Sequence, residues 1–351
     1  MVPVVFTTVG DLETLLARAR GNDAMVIVDD AHRLPPDALR ALAAAARSGT
    51  PMAIARRPTI DTPELADLDE AVAAVGKVEH LGPLDPGALA ALVAAAIGRP
   101  PAPEHLAAVH AASAGLAAVA EAVAAEPDGT PPALVARLQR RLAGPGRDTA
   151  ELATILALGL DLDDDVVCAA ARLEPARAAA ATRALRDQGL LTPDGERMIP
   201  AVARAVLADL SPPERRRLHD TVATALLSTG ADPVRAAEQL RAARARTPAA
   251  ADVYRRAADR LRFAAPERAV SWYDEALNAG AEPAVVAAGR AEAATLLGLP
   301  VDLDVATASE SDAARLAMVA GAAAAHDGRV GRAAEALLST GPPARSWPSR
   351  R

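Results

Sequence analysis

Apolar residues in the first 84 positions fall into short β-branched runs, VPVVF, AMVIV, PMAIA and KVEHL. Between them lie stretches with helical spacing, DLETLLARAR and PPDALRALAAAARSG. Such alternation predicts strands joined by helical crossovers, and so an open parallel sheet. After GPLDP the period changes. Gly87 to Ile97 and Pro103 to Ala125 carry apolar residues at helical spacing, and the Pro/Gly-rich PDGTPP and GPGRD bracket one more helix, Ala133 to Leu142.

From Asp148 to Leu210 the pattern predicts a helix, then DDDVVCAAARL and EPARAAAATRALRDQ as two more helices, then GLLTPDGERMIP. Thr192-Pro193-Asp194-Gly195 in that last segment predicts a tight turn between two short strands, as in the wing of a winged helix. Beyond Ser211-Pro212-Pro213 the helices come in pairs. In RAVSWYDEALNAG, Ala269, Tyr273 and Ala276 are spaced as in the second helix of a tetratricopeptide unit, and MVAGAAAAHDGRVGRAAEALL, with Gly321 and Ala333, echoes it. The tail GPPARSWPSRR has no apolar stripe and is predicted to be disordered, with Trp347 either a docking anchor or without a role.

Composition narrows the function classes. Aromatics are only 2% and alanine dominates, so the core must be built from small aliphatic side chains on closely packed helices. A net charge of -7 disfavours a dominant nucleic-acid surface, because phosphate contacts need clustered excess cations. The single cysteine, Cys168, allows no disulfide framework and no thiolate metal site, and its place in an Ala-rich helix predicts a small buried hydrophobe. No apolar run reaches the roughly 20 residues that span a bilayer, and the N-terminus shows no basic signal region, which predicts a cytoplasmic protein without a membrane partner.

The run MVIVDDAH ends an apolar strand on Asp29 and Asp30. A carboxylate there serves either to cap the following helix or, in P-loop ATPases, to direct Mg²⁺ beside the β/γ-phosphates. Together with AHRLPPDALRAL, PMAIARR, VEHLGPLDPGALAALV, ALRDQGLLTPDGERMIPAVARAVL and PPERRRLHDTVATALL in this order, the chain from Asp11 to Leu277 resembles the STAND class of signal-transduction ATPases, specifically the large LuxR-type bacterial transcriptional regulators. The resemblance implies a mainly α protein with an N-terminal α/β part. Its parts would be an incomplete P-loop-type nucleotide-binding-like domain over residues 1–84, a helical lid over 85–146, a winged helix over 147–210, tetratricopeptide-like repeats over 211–340 and a tail over 341–351. It also implies an ATP/ADP switch, with Asp29 as the Mg²⁺-directing acid, Asp30 as the neighbouring acid that orients water, and Arg56 as a γ-phosphate sensor acting through a charge-assisted hydrogen bond.

Three departures weigh against that switch. No G-x-x-x-x-G-K-[ST] occurs in these residues, so the backbone N–H groups and lysine that cradle a triphosphate are not supplied. The class's Gly-Asn-Pro aligns with Gly115, Leu116 and Ala117, and its phosphate-facing histidine aligns with Ile199, which cannot hydrogen-bond a phosphate. A C-terminal helix-turn-helix is not seen either. The expectation is therefore a pseudo-ATPase without a bound cofactor, a regulator that binds a protein partner or small-molecule inducer on its helical repeats, with homo-oligomers within its repertoire. The alternatives are an ATP/ADP–Mg²⁺ switch whose phosphate loop comes from outside these residues, and a winged-helix DNA-binding regulator.

The DNA reading would rest on Arg177, Arg183 and Arg186 in one helix, against which stand Asp163, Asp164, Asp165, Asp187 and Asp194, which repel phosphate. ERRRLH, from Glu214, reads as a solvated helix start with Ser211 as its N-cap, or as a phosphate or partner site. His32 follows the acid pair and is placed to reach a ligand. No HExxH, paired His/Cys spacing or G-x-S-x-G elbow occurs, so neither a metal site nor a hydrolase centre is expected.

Overall fold

The structure is a computed structural model that describes residues 2–6, 16, 24–57, 62–144, 146–160, 164–299, 310–326, 328–329, 331–332 and 335. Proline sets most helix starts: twelve of the sixteen helices among the described residues begin on it, from Pro36 to Pro283. Its fixed φ suits the first helical position, where its missing N–H costs nothing. Side chains cap several of these starts, with Thr62, Asp85 and Thr247 accepting the N–H of Leu65, Ala88 and Ala250.

The sheet has three parallel strands in the order β1 (Val2–Phe6), β2 (Ala24–Val28) and β3 (Met52–Ile54). Val4 pairs with Val26 and Ile27 with Ala53. Alternation along β2 buries Val26 and Val28. Helices α1 (Pro36–Arg47) and α2 (Pro63–Val75) pack on each other, and Leu39, Leu42, Leu65 and Leu68 share one core with those valines. The expected strand KVEHL is not one. Residues 77–81 are irregular and exposed, with Leu81 91% exposed, and among the described residues no strand pairs with them. A strand two-faced in water has neither ladder nor core to hold it. Of DLETLLARAR only Leu16, a buried helical residue, is described.

The chain divides into two compact units, residues 1–150 with 179–205, and residues 151–178 with 206–351. The first continues through α3 (Pro86–Ile97), α4 (Pro103–Ser113), α5 (Ala117–Val123) and α6 (Pro132–Ala143), whose buried residues include Leu89, Val93, Val109, Val119, Val123, Leu134 and Leu138. It also holds the turn at Thr192–Gly195. Leu191 and Met198 form an antiparallel bridge, Thr192 N–H donates to the Arg197 carbonyl at 2.8 Å, and Gly195 sits at φ +75°. The remaining helices of the middle segment are α7 (Arg147–Leu156), α8 (Asp164–Ala171), α9 (Pro175–Asp187) and α10 (Pro200–Ala208).

In the second unit, α11 (Pro212–Ser228), α12 (Pro233–Ala243), α13 (Pro248–Leu261), α14 (Pro266–Asn278), α15 (Pro283–Leu296) and α16 (Glu310–His326) each pack on the next. Trp272, Tyr254 and Tyr273 are its largest fully buried side chains, so this chain of two tryptophans and two tyrosines commits most of its aromatic bulk here. Ala257, Ala258, Ala269 and Ala276 are completely buried around them, which lets the helix axes approach. Gly321 lies buried in α16, whereas Ala333 and the tail with Trp347 fall outside the described residues.

Candidate functional site

Parallel pairing fixes what stands at the carboxyl end of the sheet. Ala55 N–H donates to the Val28 carbonyl at 2.8 Å and Ala31 N–H to the Ala55 carbonyl at 2.9 Å, so Asp29-Asp30 and Arg56-Arg57 leave the sheet side by side. Ligands of open α/β sheets bind at this end.

The acid pair makes local contacts. Asp29 is exposed, and its Oδ1 accepts the N–H of Asp30 at 2.8 Å. Asp30 adopts the left-handed conformation, φ 51°, ahead of a single 3₁₀ turn, Ala31–Arg33, and its Oδ2 lies 3.5 Å from Arg33 Nε. His32 is not exposed to a ligand: its side chain is 4% exposed, Nδ1 accepts the N–H of Arg57 at 3.4 Å, and Nε2 stands 3.9 Å from Asp30. Burial holds its pKa below the ordinary 6.5, with Arg57 and Arg33 adding to the effect and Asp30 opposing it.

Arg56 turns toward α2. Its guanidinium grips Asp69 through two nitrogens, Nε at 3.0 Å, and Nη1 donates to the Arg57 carbonyl at 3.0 Å. Asp29, Asp30 and Arg56, the three residues carried over from the resembled class, thus each have a partner of their own: the Asp30 amide, Arg33 and Asp69. Among the described residues no three His, Cys, Asp or Glu side chains come together to hold a metal.

What the sheet end does offer is a cleft of about 480 Å³ where Arg33, Arg57, Arg137, Arg140 and Arg141 face a single carboxylate, Asp30. Gly144 and Gln188 complete its wall. Two arginines are fixed by carbonyls: Arg57 donates to the Asp187 oxygen, and Arg141 to the Gln188 oxygen at 3.1 Å. Arg137 and Arg140 are exposed, and neither has an acidic partner among the described residues. Both come from α6, where Leu134 and Leu138 are buried while Arg137 and Arg141, four residues apart, share another stripe. Burial lowers the pKa of Arg141, and the neighbouring Arg57, Arg137 and Arg33 push it the same way.

The sequence carried only a faint signal for this cleft, the basic pieces AHR, IARR and RLQRR, each unremarkable in a chain where Lys77 is the single lysine and arginine supplies every other cation. The arginines proposed for DNA behave differently. At about 100° per residue, Arg183 and Arg186 share a helix face, but Arg177 lies about 180° from Arg186. The Arg186 guanidinium lies beside Gly195, where a Cβ would meet it at 3.1 Å. Ile199 is completely buried and its N–H donates to the Leu190 carbonyl, so it belongs to the core. Gly115, at φ +74°, closes α4 and accepts the N–H of Leu84 at 2.8 Å.

No family model and no curated protein matches the chain. Among solved structures, the chain is similar to a signal transduction ATPase with numerous domains (STAND) protein with a tetratricopeptide repeat sensor from Pyrococcus horikoshii, at 15% identity and a TM-score of 0.40. The alignment covers 95% of this chain and 52% of that one, so the chain spans about half the length of this neighbour. A likeness of that strength assigns no function. No helix among the described residues is long and apolar enough to cross a membrane.

Proposed function

We propose that the protein is a ligand-responsive regulator that binds a phosphate-bearing small molecule in the arginine cleft without hydrolysing it. The observation that carries this is five guanidiniums arranged around one carboxylate at the carboxyl end of a parallel sheet. Arginine presents a planar fork of donors that matches phosphate oxygens, and partly buried sites strengthen such charge-assisted bonds. Arg140 and Arg141 also sit in the last turn of α6, where the helix dipole favours cations, but that accounts for a fraction of a kcal/mol each and does not explain Arg33 or Arg57.

Hydrolysis would need groups that this site does not gather: Arg56 is committed to Asp69, and Asp29 is engaged with the adjacent amide. The sequence likeness to the STAND class supports a regulatory role in which the α/β part is a sensor and the helical repeats a partner surface. The LuxR-type and winged-helix assignments belong to this proposal and rest on the same sequence motifs.

Thermal unfolding with pyrophosphate, ADP and ATP, each with and without Mg²⁺, tests it. A ligand at a hundred times its Kd stabilises by about 2.7 kcal/mol, so at least one of these compounds should raise the midpoint, and Arg137→Ala/Arg140→Ala should abolish the rise. No response to any of them overturns the binding claim, and release of phosphate from ATP at a catalytic rate overturns the non-hydrolytic one.

A further inference from the structure

A second basic pocket lies in the other compact unit, independent of the cleft. It has a volume of about 420 Å³ at the turn between α12 and α13, and its lining includes Arg241, Arg244, Arg246, Tyr254 and Glu275. Elsewhere in this unit several arginines are paired: Arg255 with Asp252 and Asp259 of its own helix, Arg262 and Arg315 with Glu292, and Arg290 with Asp274. Arg241, Arg244 and Arg246 have no acidic partner among the described residues.

The pocket's floor is packed, while its three arginines are exposed at the rim. The Arg241 guanidinium lies 4.1 Å over the Trp272 ring, which stacks on Tyr254 at 5.7 Å and 12°. Tyr254 donates to the Ala245 carbonyl at 3.3 Å, pinning the turn. Arg244 takes the left-handed conformation, φ 57°, as the C-cap of α12, which turns the chain so that Arg246 follows on the same rim. Burial and the nearby Glu275 carboxylate raise the Tyr254 pKa to about 12, so its hydroxyl stays a neutral donor.

We propose that this pocket binds a peptide carrying a carboxylate. Three arginines supply the donors for the oxyanion. Glu275, the one acid on the rim, accepts N–H bonds from the peptide backbone beside it and repels a multiply charged phosphate more strongly than a single carboxylate. The chain's net charge of -7 repels acidic peptides at long range, so binding depends on these local contacts rather than on non-specific attraction.

The test uses the full chain carrying Trp347→Phe, so that Trp272 is the single emitter. An acetylated six-residue Glu/Ala peptide is titrated as free acid and as C-terminal amide, with a Lys/Ala peptide and pyrophosphate as controls. The acidic peptide should change Trp272 emission saturably, the Lys/Ala peptide should not, and Arg244→Gly/Arg246→Ala should weaken binding at least tenfold. Glycine keeps the positive φ at position 244, so the melting midpoint should hold. Loss of binding on amidation assigns the terminal carboxylate, and equal binding assigns the side chains. No emission change, unchanged affinity in the double variant, or pyrophosphate binding tighter than the peptide overturns the proposal. The cleft in the other unit is untouched by these substitutions, so the two proposals stand or fall separately.

Discussion

Gly289→Ala probes how closely the helical repeats pack. A Cβ at that position would stand 2.1 Å from the Tyr273 hydroxyl oxygen and 2.6 Å from the carbon that bears it. Tyr273 is fully buried and donates to Asp259 Oδ1 at 2.6 Å, so the ring cannot swing away without giving up a charge-assisted bond. Overpacking costs about 1–3 kcal/mol and loss of such a bond about 1.5–3, while replacing a helical glycine by alanine returns about 1. The net expectation is a loss of about 1.5–5 kcal/mol, or a fall of about 3–20 °C in the melting midpoint of a unit this size. Chemical denaturation of Gly289→Ala, Tyr273→Phe and the double variant measures it. In the Tyr273→Phe background no hydroxyl bond remains to be broken, so the added cost of Gly289→Ala should shrink by about 1.5–3 kcal/mol, a coupling within the usual range for touching residues. Equal or greater stability of Gly289→Ala would show that α14 and α15 do not approach as described.

Three further outcomes follow from named contacts. His32, held neutral by burial, contributes stability that is present above its ordinary pKa of 6.5 and is lost as pH falls below it, because the unfolded chain then binds a proton that the folded one excludes; melting midpoints between about pH 7.5 and pH 5 should fall more steeply for the native chain than for His32→Gln. Asp85→Ala removes the cap that accepts the Ala88 N–H at 2.8 Å and should cost about 1 kcal/mol by urea denaturation. Trp272→Ala, which empties the largest fully buried site, should cost about 3–5 kcal/mol, and a smaller loss would mean the site collapses around it.

Helix starts and the three strands were legible because their determinants are local. Proline at the first helical position and the alternation of AMVIV each act within a few residues. KVEHL had the right residue types but no neighbour to pair with, and strand formation depends on a partner that no local pattern reveals. The acid pair was legible as a motif, while its use was not: whether Asp29 faces a metal or its own neighbour's amide depends on the left-handed turn at Asp30. The arginine cleft was harder still. Arg33, Arg57 and Arg137 are far apart in sequence, and in a chain with one lysine among 38 basic residues an extra arginine carries almost no information.

The separation of informative from uninformative arginines therefore comes from pairing. A crowded lysine can shed its proton, but a guanidinium stays charged in protein interiors, so a cluster of arginines must find acceptors or remain mutually repulsive. Around α13 to α16 the acceptors are carboxylates of the same unit, and those arginines act as struts. In the cleft, two arginines are held by backbone carbonyls, which orient a charge without neutralising it. Like charges at i and i+4 on α6 cost the isolated helix about 0.2–0.5 kcal/mol, and Asp30 can offset only one of the five. An arrangement that orients cations, leaves them uncompensated and places them where open α/β sheets bind their ligands has its complement in an anion from solution. Substituting Arg137 and Arg140 by glutamine should accordingly leave the free protein as stable or slightly more so, and fail only when the ligand is added.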